Sequence, residues 1–136
     1  MSSTATDRID GLATSVAIKA PCRAGTTGAI TLSGTQTVDG VALAVGDRVL
    51  VMNQADQTTN GIYFVQAIAW VRDVDFDGNR DAVTGTMVFV TTGTVNGATF
   101  WKLTTTDNPV VFGTSNITFA AAGFAQNSGT IDGGTF

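Results

Sequence analysis

The sequence predicts an all-β fold, a single antiparallel β-sandwich or barrel-like domain with extended N- and C-terminal arms. Three observations carry that expectation. Eight short runs rich in Val, Ile, Thr, Phe and Trp recur along the chain, each bounded by Gly, Asn or Asp, as half-buried strands and their turns do. Asp-Gly and Asn-Gly pairs stand beside several of these runs, and such pairs suit hairpin turns because both central residues take positive φ. Helix has little room. The one segment that could form it, TDRIDGLATSVAIKA, has Thr6 or Asp7 as a cap but carries Gly11, Thr14 and Val16 in its interior.

In chain order the strand-like runs are AITLS from 29, GVALA from 40, DRVLVM from 47, GIYFVQA from 61, AWVRD from 69, TMVFVTT from 86, TFWKLTT from 99 and NITFAA from 116. Strands at this spacing suggest a sandwich or barrel. In DRVLVM, Val49 and Val51 face one side while Leu50 and Met52 face the other; a strand apolar on both faces is central or lies at an interface. Ile62, Tyr63, Phe64 and Val65 repeat the pattern, so the two runs are expected to pair across NQADQTTN as the core hairpin. VDGV at 38 and VNGA at 95 read as two-residue hairpin turns, and TTNGIY at 58 reads as the same device before the strand of Tyr63.

A chain of 136 residues suffices for one domain that buries most of its apolar surface. Residues 1–15 read as an N-terminal arm, 16–122 as the β-rich module and 123–136 as a C-terminal arm. The closing AQNSGTIDGGTF holds three glycines and only two large apolar residues, Ile131 and Phe136, too few to pack a core. In a homo-oligomer a neighbouring copy is their natural anchor, which makes Ile131 and Phe136 the predicted contact residues.

Composition excludes several function classes. Hydrophobic residues make up 43% and charged residues 13%, which suits neither broad disorder nor strong surface electrostatics. A formal charge of −4 with no basic cluster argues against nucleic acid, whose phosphates need several Lys or Arg on one face. Cys22 is the single cysteine and there is no histidine. An intrachain disulfide and the usual zinc sites are therefore excluded, and Cys22 reads as a small buried hydrophobe. The start, MSSTATDRIDG, lacks a basic segment followed by an apolar run, and no stretch approaches the length that spans a bilayer. A membrane is not an expected partner.

Catalytic signatures are missing as well: no Gly-x-Ser-x-Gly elbow, no phosphate-cradling loop and no dinucleotide glycine pattern. Asp73 with Asp75, or Asp56 with Asp107, are carboxylate pairs of the kind a glycosidase uses, the first pair roughly 7 Å apart on an extended chain. A glycosidase also needs a larger aromatic cleft than a domain of this size builds, so no enzyme is expected. Trp70, Trp101, Tyr63 and Phe100 are candidates for stacking on sugar rings. Trp101 and Phe100 are adjacent in TFWKL, however, so one lies on each face and at least one belongs to the core.

The stretch RDVDFDGNRD, residues 72–81, matches the start of a calcium loop. Asp73, Asp75 and Asp77 are the candidate metal ligands, with the Asn79 backbone carbonyl as a fourth. The bidentate glutamate expected at the twelfth position is Thr84, and no helices flank the stretch. The same residues are good turn formers, so an acidic connection between two strands is the main expectation, no cofactor is expected, and calcium is the alternative.

The run ITLSGTQTVDGVALAVGDRVLVMNQADQTTNGIYFV (30–65), followed by AWVRDVDFD, GTMVFVTTGTVNGATFWKL and NITFA, resembles a β-rich module that recurs in tail-fibre, tailspike and related virion proteins of tailed bacteriophages. The most specific parts are the DGV-x-L turn, GDRVLV, the following Gln54, and NGIY with an aliphatic strand behind it. The resemblance covers roughly residues 16–122. It implies a non-enzymatic virion structural protein, assembled in the host cytoplasm as a homotrimer. Within that class the chain is read first as a capsid decoration or cement protein binding major capsid subunits, then as a tail-fibre, adaptor or collar component. A glycan-binding adhesion module is the reading from a different class.

Overall fold

The computed structural model describes residues 17–78 and 81–122, and within them the chain is all-β. Nine strands are present: β1 (Ala24–Gly25), β2 (Thr37–Val38), β3 (Val41–Ala42), β4 (Arg48–Val51), β5 (Gly61–Phe64), β6 (Val71–Arg72), β7 (Met87–Val90), β8 (Thr99–Leu103) and β9 (Phe119–Ala121). Single 3-10 turns stand at Gln57–Thr59 and Val74–Phe76. One sheet has the order β1-β4-β5-β6, a second β7-β8-β9, and β2-β3 form a separate hairpin.

Residues 17–26 join the two larger sheets. Lys19 and Cys22 donate backbone N–H groups to the carbonyls of Met87 and Phe89, and Thr91 donates back to Cys22. A few residues on, Arg23 and Thr26 donate to Arg48 and Leu50. The segment thus leaves β7 and joins β4, running parallel to both. The two sheets are thereby joined along one side, while their outer strands, β6 and β9, do not pair, so the barrel stays open. This parallel lead departs from the purely antiparallel expectation. Residues 17–20 of the proposed helical segment are extended, because their backbone groups are taken by Met87; residues 1–16 lie outside the described residues.

The expected core hairpin is present: Val49 pairs with Tyr63 and Leu50 with Ile62, antiparallel. Both faces of this pair are covered. Leu50 and Ile62 point into a first core with Cys22, Phe76, Val88, Val90, Leu103, Val110 and Ile117. Val49, Val51, Tyr63 and Val65 point into a second, roofed by Val38, Val41, Leu43 and Trp70 with Ile30 and Leu32 at its margin. Arg72 bridges the two regions, lying over the rings of Tyr63 and Phe112 while donating to the carbonyls of Asn60 and Thr58.

AITLS makes a single bridge, Ser33 to Ala69, in place of a strand. Its backbone finds a side chain instead: Ile30 N–H donates to Gln54 Oε1 at 2.8 Å, and Gln54 Nε2 donates to Ile30 O at 2.9 Å. Of the three glycine turns, only VDGV has the expected geometry, with φ of 50° at Asp39 and 80° at Gly40 and Val38 opposite Val41. Asn60 is extended at φ −67°. In the eight-residue loop between β7 and β8, Ala98 rather than Asn96 has positive φ. Both asparagines are buried, used for their side-chain amides and not for their backbone freedom.

Candidate functional site

Those two asparagines show how the open end of the first core is built. Asn60 accepts from Gln54 N–H and donates to Ile117 O, pinning the β4–β5 loop to the approach to β9. Asn96 donates its Nδ2 hydrogens to the carbonyls of Gly25 and Thr26 at 3.2 and 3.0 Å, pinning the β7–β8 loop to the end of β1. From the opposite side Asp39 accepts from Val95 N and Asn96 N. Gly93 is required here, since a Cβ on it would strike the Asp39 carboxylate.

Between these loops lies a cleft of about 290 Å3, lined by Thr26, Thr27, Met52, Asn53, Val95, Asn96, Trp101 and Phe119. Thr26 and Asn96 are its buried members, Met52, Trp101 and Phe119 are half-buried, and Thr27, Asn53 and Val95 are exposed. Trp101 Nε1 donates to Thr99 Oγ1 at 2.8 Å, and Thr99 in turn donates to Asn96 O, so the indole is fixed to the β7–β8 loop. Thr26 Oγ1 donates to Asn53 Oδ1 at 2.6 Å and accepts from Met52 N at 2.9 Å.

The four candidate stacking aromatics separate accordingly. Trp101 reaches the cleft. Trp70 and Tyr63 are core residues, each 6% exposed, with Trp70 Nε1 donating to Gly34 O and the Tyr63 hydroxyl to Thr59 O. Phe100 sits against Phe89, ring centroids 4.7 Å apart, in the strand row next to that of Trp101 and so on the opposite face of the sheet.

The acidic stretch divides into two environments. Asp75 takes Arg48 in a bidentate pair at 2.7 and 2.8 Å, and Asp73 accepts from the same guanidinium at 2.9 Å. Asp73 also receives Val74 N–H at the start of the 3-10 turn. Burial works against the Arg48 charge, but its hydrogen bonds to Asp75 and Asp73 prevail and hold its proton more tightly than usual. Asp77 stands apart, its carboxyl pushed up by burial and then by Asp81 beside it, while Asp81 accepts from Asp77 N and Gly78 N. Of the three candidate calcium ligands, Asp73 and Asp75 thus have Arg48 of β4 as their counter-charge, and Asp77 does not. Among the described residues no three carboxylate or thiol groups come together as a metal set. Asn79, and the predicted contact residues Ile131 and Phe136, lie outside the described residues.

Two more groups flank the ion pair. Cys22 is fully buried, and desolvation pushes its thiol up to about 12, so it stays protonated, as the sequence reading as a small hydrophobe requires. Lys19 is 4% exposed, and its Nζ has no hydrogen-bond partner among the described residues; burial lowers its pKa against the pull of Asp75 and Asp81. Of the cleft, sequence reasoning singled out Trp101 alone. Thr26, Thr27, Asn53 and Asn96 are short polar residues from three separate connections, with no local signal beyond Asn96 in a turn-like pair.

Comparison of the chain with family models, curated proteins and solved structures finds no match.

Proposed function

We propose that the chain is a non-enzymatic structural module of a tailed-bacteriophage virion, a capsid decoration protein that binds capsid subunits as a homotrimer. The observation that carries this reading is what the resembling motifs do. Asp39 of DGV-x-L anchors the β7–β8 loop, Gln54 takes the place of a neighbouring strand for Ile30, and Asn60 of NGIY ties two loops. Each supports the frame and none faces a reactive partner. Motifs spent on rigidity suit a clamp that gains affinity from preorganised surface. Beyond the bridge at Ala69, β6 pairs among the described residues with β5 alone; Val71 in it and Val74 in the following 3-10 turn are 53% and 80% exposed, and an open strand edge with apolar neighbours is a place for another chain to pair.

The test is where the protein sits. Antibody against the purified chain is expected to label the capsid shell of particles in electron micrographs, and the isolated chain is expected to sediment as a trimer. Label confined to the tail would replace decoration with the fibre or adaptor role. A monomer absent from purified particles would overturn the structural reading.

A further inference from the structure

We propose that the cleft at the open end of the first core is a binding site for a neutral pyranose. The inference goes beyond the structural role and does not depend on it. A volume of about 290 Å3 is just below the usual range for drug-sized ligand pockets and suits one ring of six atoms with its substituents. The lining then selects the chemistry. None of its eight residues is charged, so an anionic or cationic ligand would be desolvated without a counter-charge. Asn53 and Thr27, the exposed polar members of the lining, would lose their water to a purely apolar ligand for nothing in return.

What the polar lining can offer is set by the bonds it already makes. Asn96 has spent both Nδ2 hydrogens on Gly25 and Thr26, which leaves its Oδ1 as an acceptor. Asn53 has its Oδ1 engaged by Thr26, which leaves its Nδ2 as a double donor. The hydroxyl of Thr27, an exposed residue, can serve either way. A ligand that satisfies this set carries several groups that both donate and accept on one side and an apolar face on the other. A pyranose has that pattern, with its C–H face laid on Trp101 and its hydroxyls toward Asn53, Thr27 and Asn96. The indole is already held by Thr99 and the Asn53 amide by Thr26, so little order must be imposed on binding.

Trp70 is buried and Trp101 lines the cleft, so tryptophan fluorescence reports on the site directly. The isolated chain would be titrated with methyl α-glucoside, methyl β-galactoside, methyl α-mannoside and N-acetylglucosamine, with adenosine as a planar aromatic comparison. At least one sugar is expected to give a saturable change at millimolar concentration and to shield Trp101 from acrylamide. Asn53→Ala removes the exposed donor without touching either core, and should weaken that sugar about tenfold, the loss of one hydrogen-bonding partner. No saturable response to any of the four sugars, a response to adenosine alone, or unaltered affinity in Asn53→Ala would each overturn the proposal. Since the measurement uses free protein, its failure leaves the particle labelling result untouched.

Discussion

The two faces of the β4–β5 pair are buried by different means. On the Leu50 and Ile62 face the cover is another sheet, and the enclosed side chains are large, Phe76, Leu103 and Ile117 among them. On the Val49 and Tyr63 face the cover is the small β2–β3 hairpin and the irregular segment 29–34. That second cover has few strand bonds of its own. Gln54 satisfies Ile30, Gln36 Nε2 donates to Thr31 O and Ser33 O, and Trp70 Nε1 donates to Gly34 O. Irregular chain can therefore roof a sheet as long as its backbone polar groups find side-chain partners.

The largest test of this contrast is a matched pair of truncations. Phe76 is fully buried, with Phe112 edge-on at 4.8 Å and Phe119 at 6.1 Å. Phe76→Ala is expected to cost about 3–5 kcal/mol in urea unfolding. Val41, 5% exposed in the hairpin roof, loses two methyl groups in Val41→Ala, about 2 kcal/mol. Equal losses at the two positions would break the distinction between an enclosed core and a roof.

Gln54→Ala comes next and acts on the roof alone. It strands the Ile30 N–H and C=O together, a cost of about 1–3 kcal/mol. The sharper readout is local: amide exchange in residues 29–34 should accelerate while the β7–β8 amides keep their protection. Uniform acceleration would mean that the roof and the first core open as one unit.

The same contrast explains how much could be read in advance. DRVLVM and GIYFVQ were legible because a strand apolar on both sides has one sensible place, the middle, and the observed register puts Leu50 against Ile62 there. Asp39 and Gly40 were legible because a two-residue turn is decided locally. Asn60 and Asn96 form the same kind of pair with glycine, yet their roles are decided by Ile117 and by Gly25 and Thr26, partners far away in sequence. Long-range amide pairing leaves no mark on a dipeptide. The acidic stretch was legible as a connection between strands but its partner was not: the cation that pairs with Asp73 and Asp75 is Arg48, whose place in DRVLVM marked it only as a strand residue. Of the cleft, the aromatic could be anticipated and the polar lining could not, because Thr26, Asn53 and Asn96 meet only once residues 17–26 have crossed from β7 to β4.

The smallest effect, and the one of opposite sign, concerns Lys19 beside the ion pair. Its Nζ is enclosed without a hydrogen-bond partner among the described residues, so folding strips an ammonium of water for little return. Burial depresses its folded-state pKa below the ordinary 10.5. The unfolded chain then binds the proton more tightly, and the cost is fully present below the folded-state value and relieved as pH rises through it toward 10.5. Lys19→Met should therefore gain about 1 kcal/mol at neutral pH, with the gain shrinking as the solution is made alkaline. Cys22 works the other way. Its thiol is raised from 9.0 to about 12, so the unfolded chain gives up that proton first and stability falls as pH rises between those values. The two slopes overlap above pH 9, and the measurement must be the difference between wild type and Lys19→Met at each pH, in which the Cys22 contribution cancels. A gain that does not vary with pH would show that methionine improves packing and relieves no charge; a loss would mean that the attraction of Asp75 and Asp81 outweighs the desolvation of Lys19.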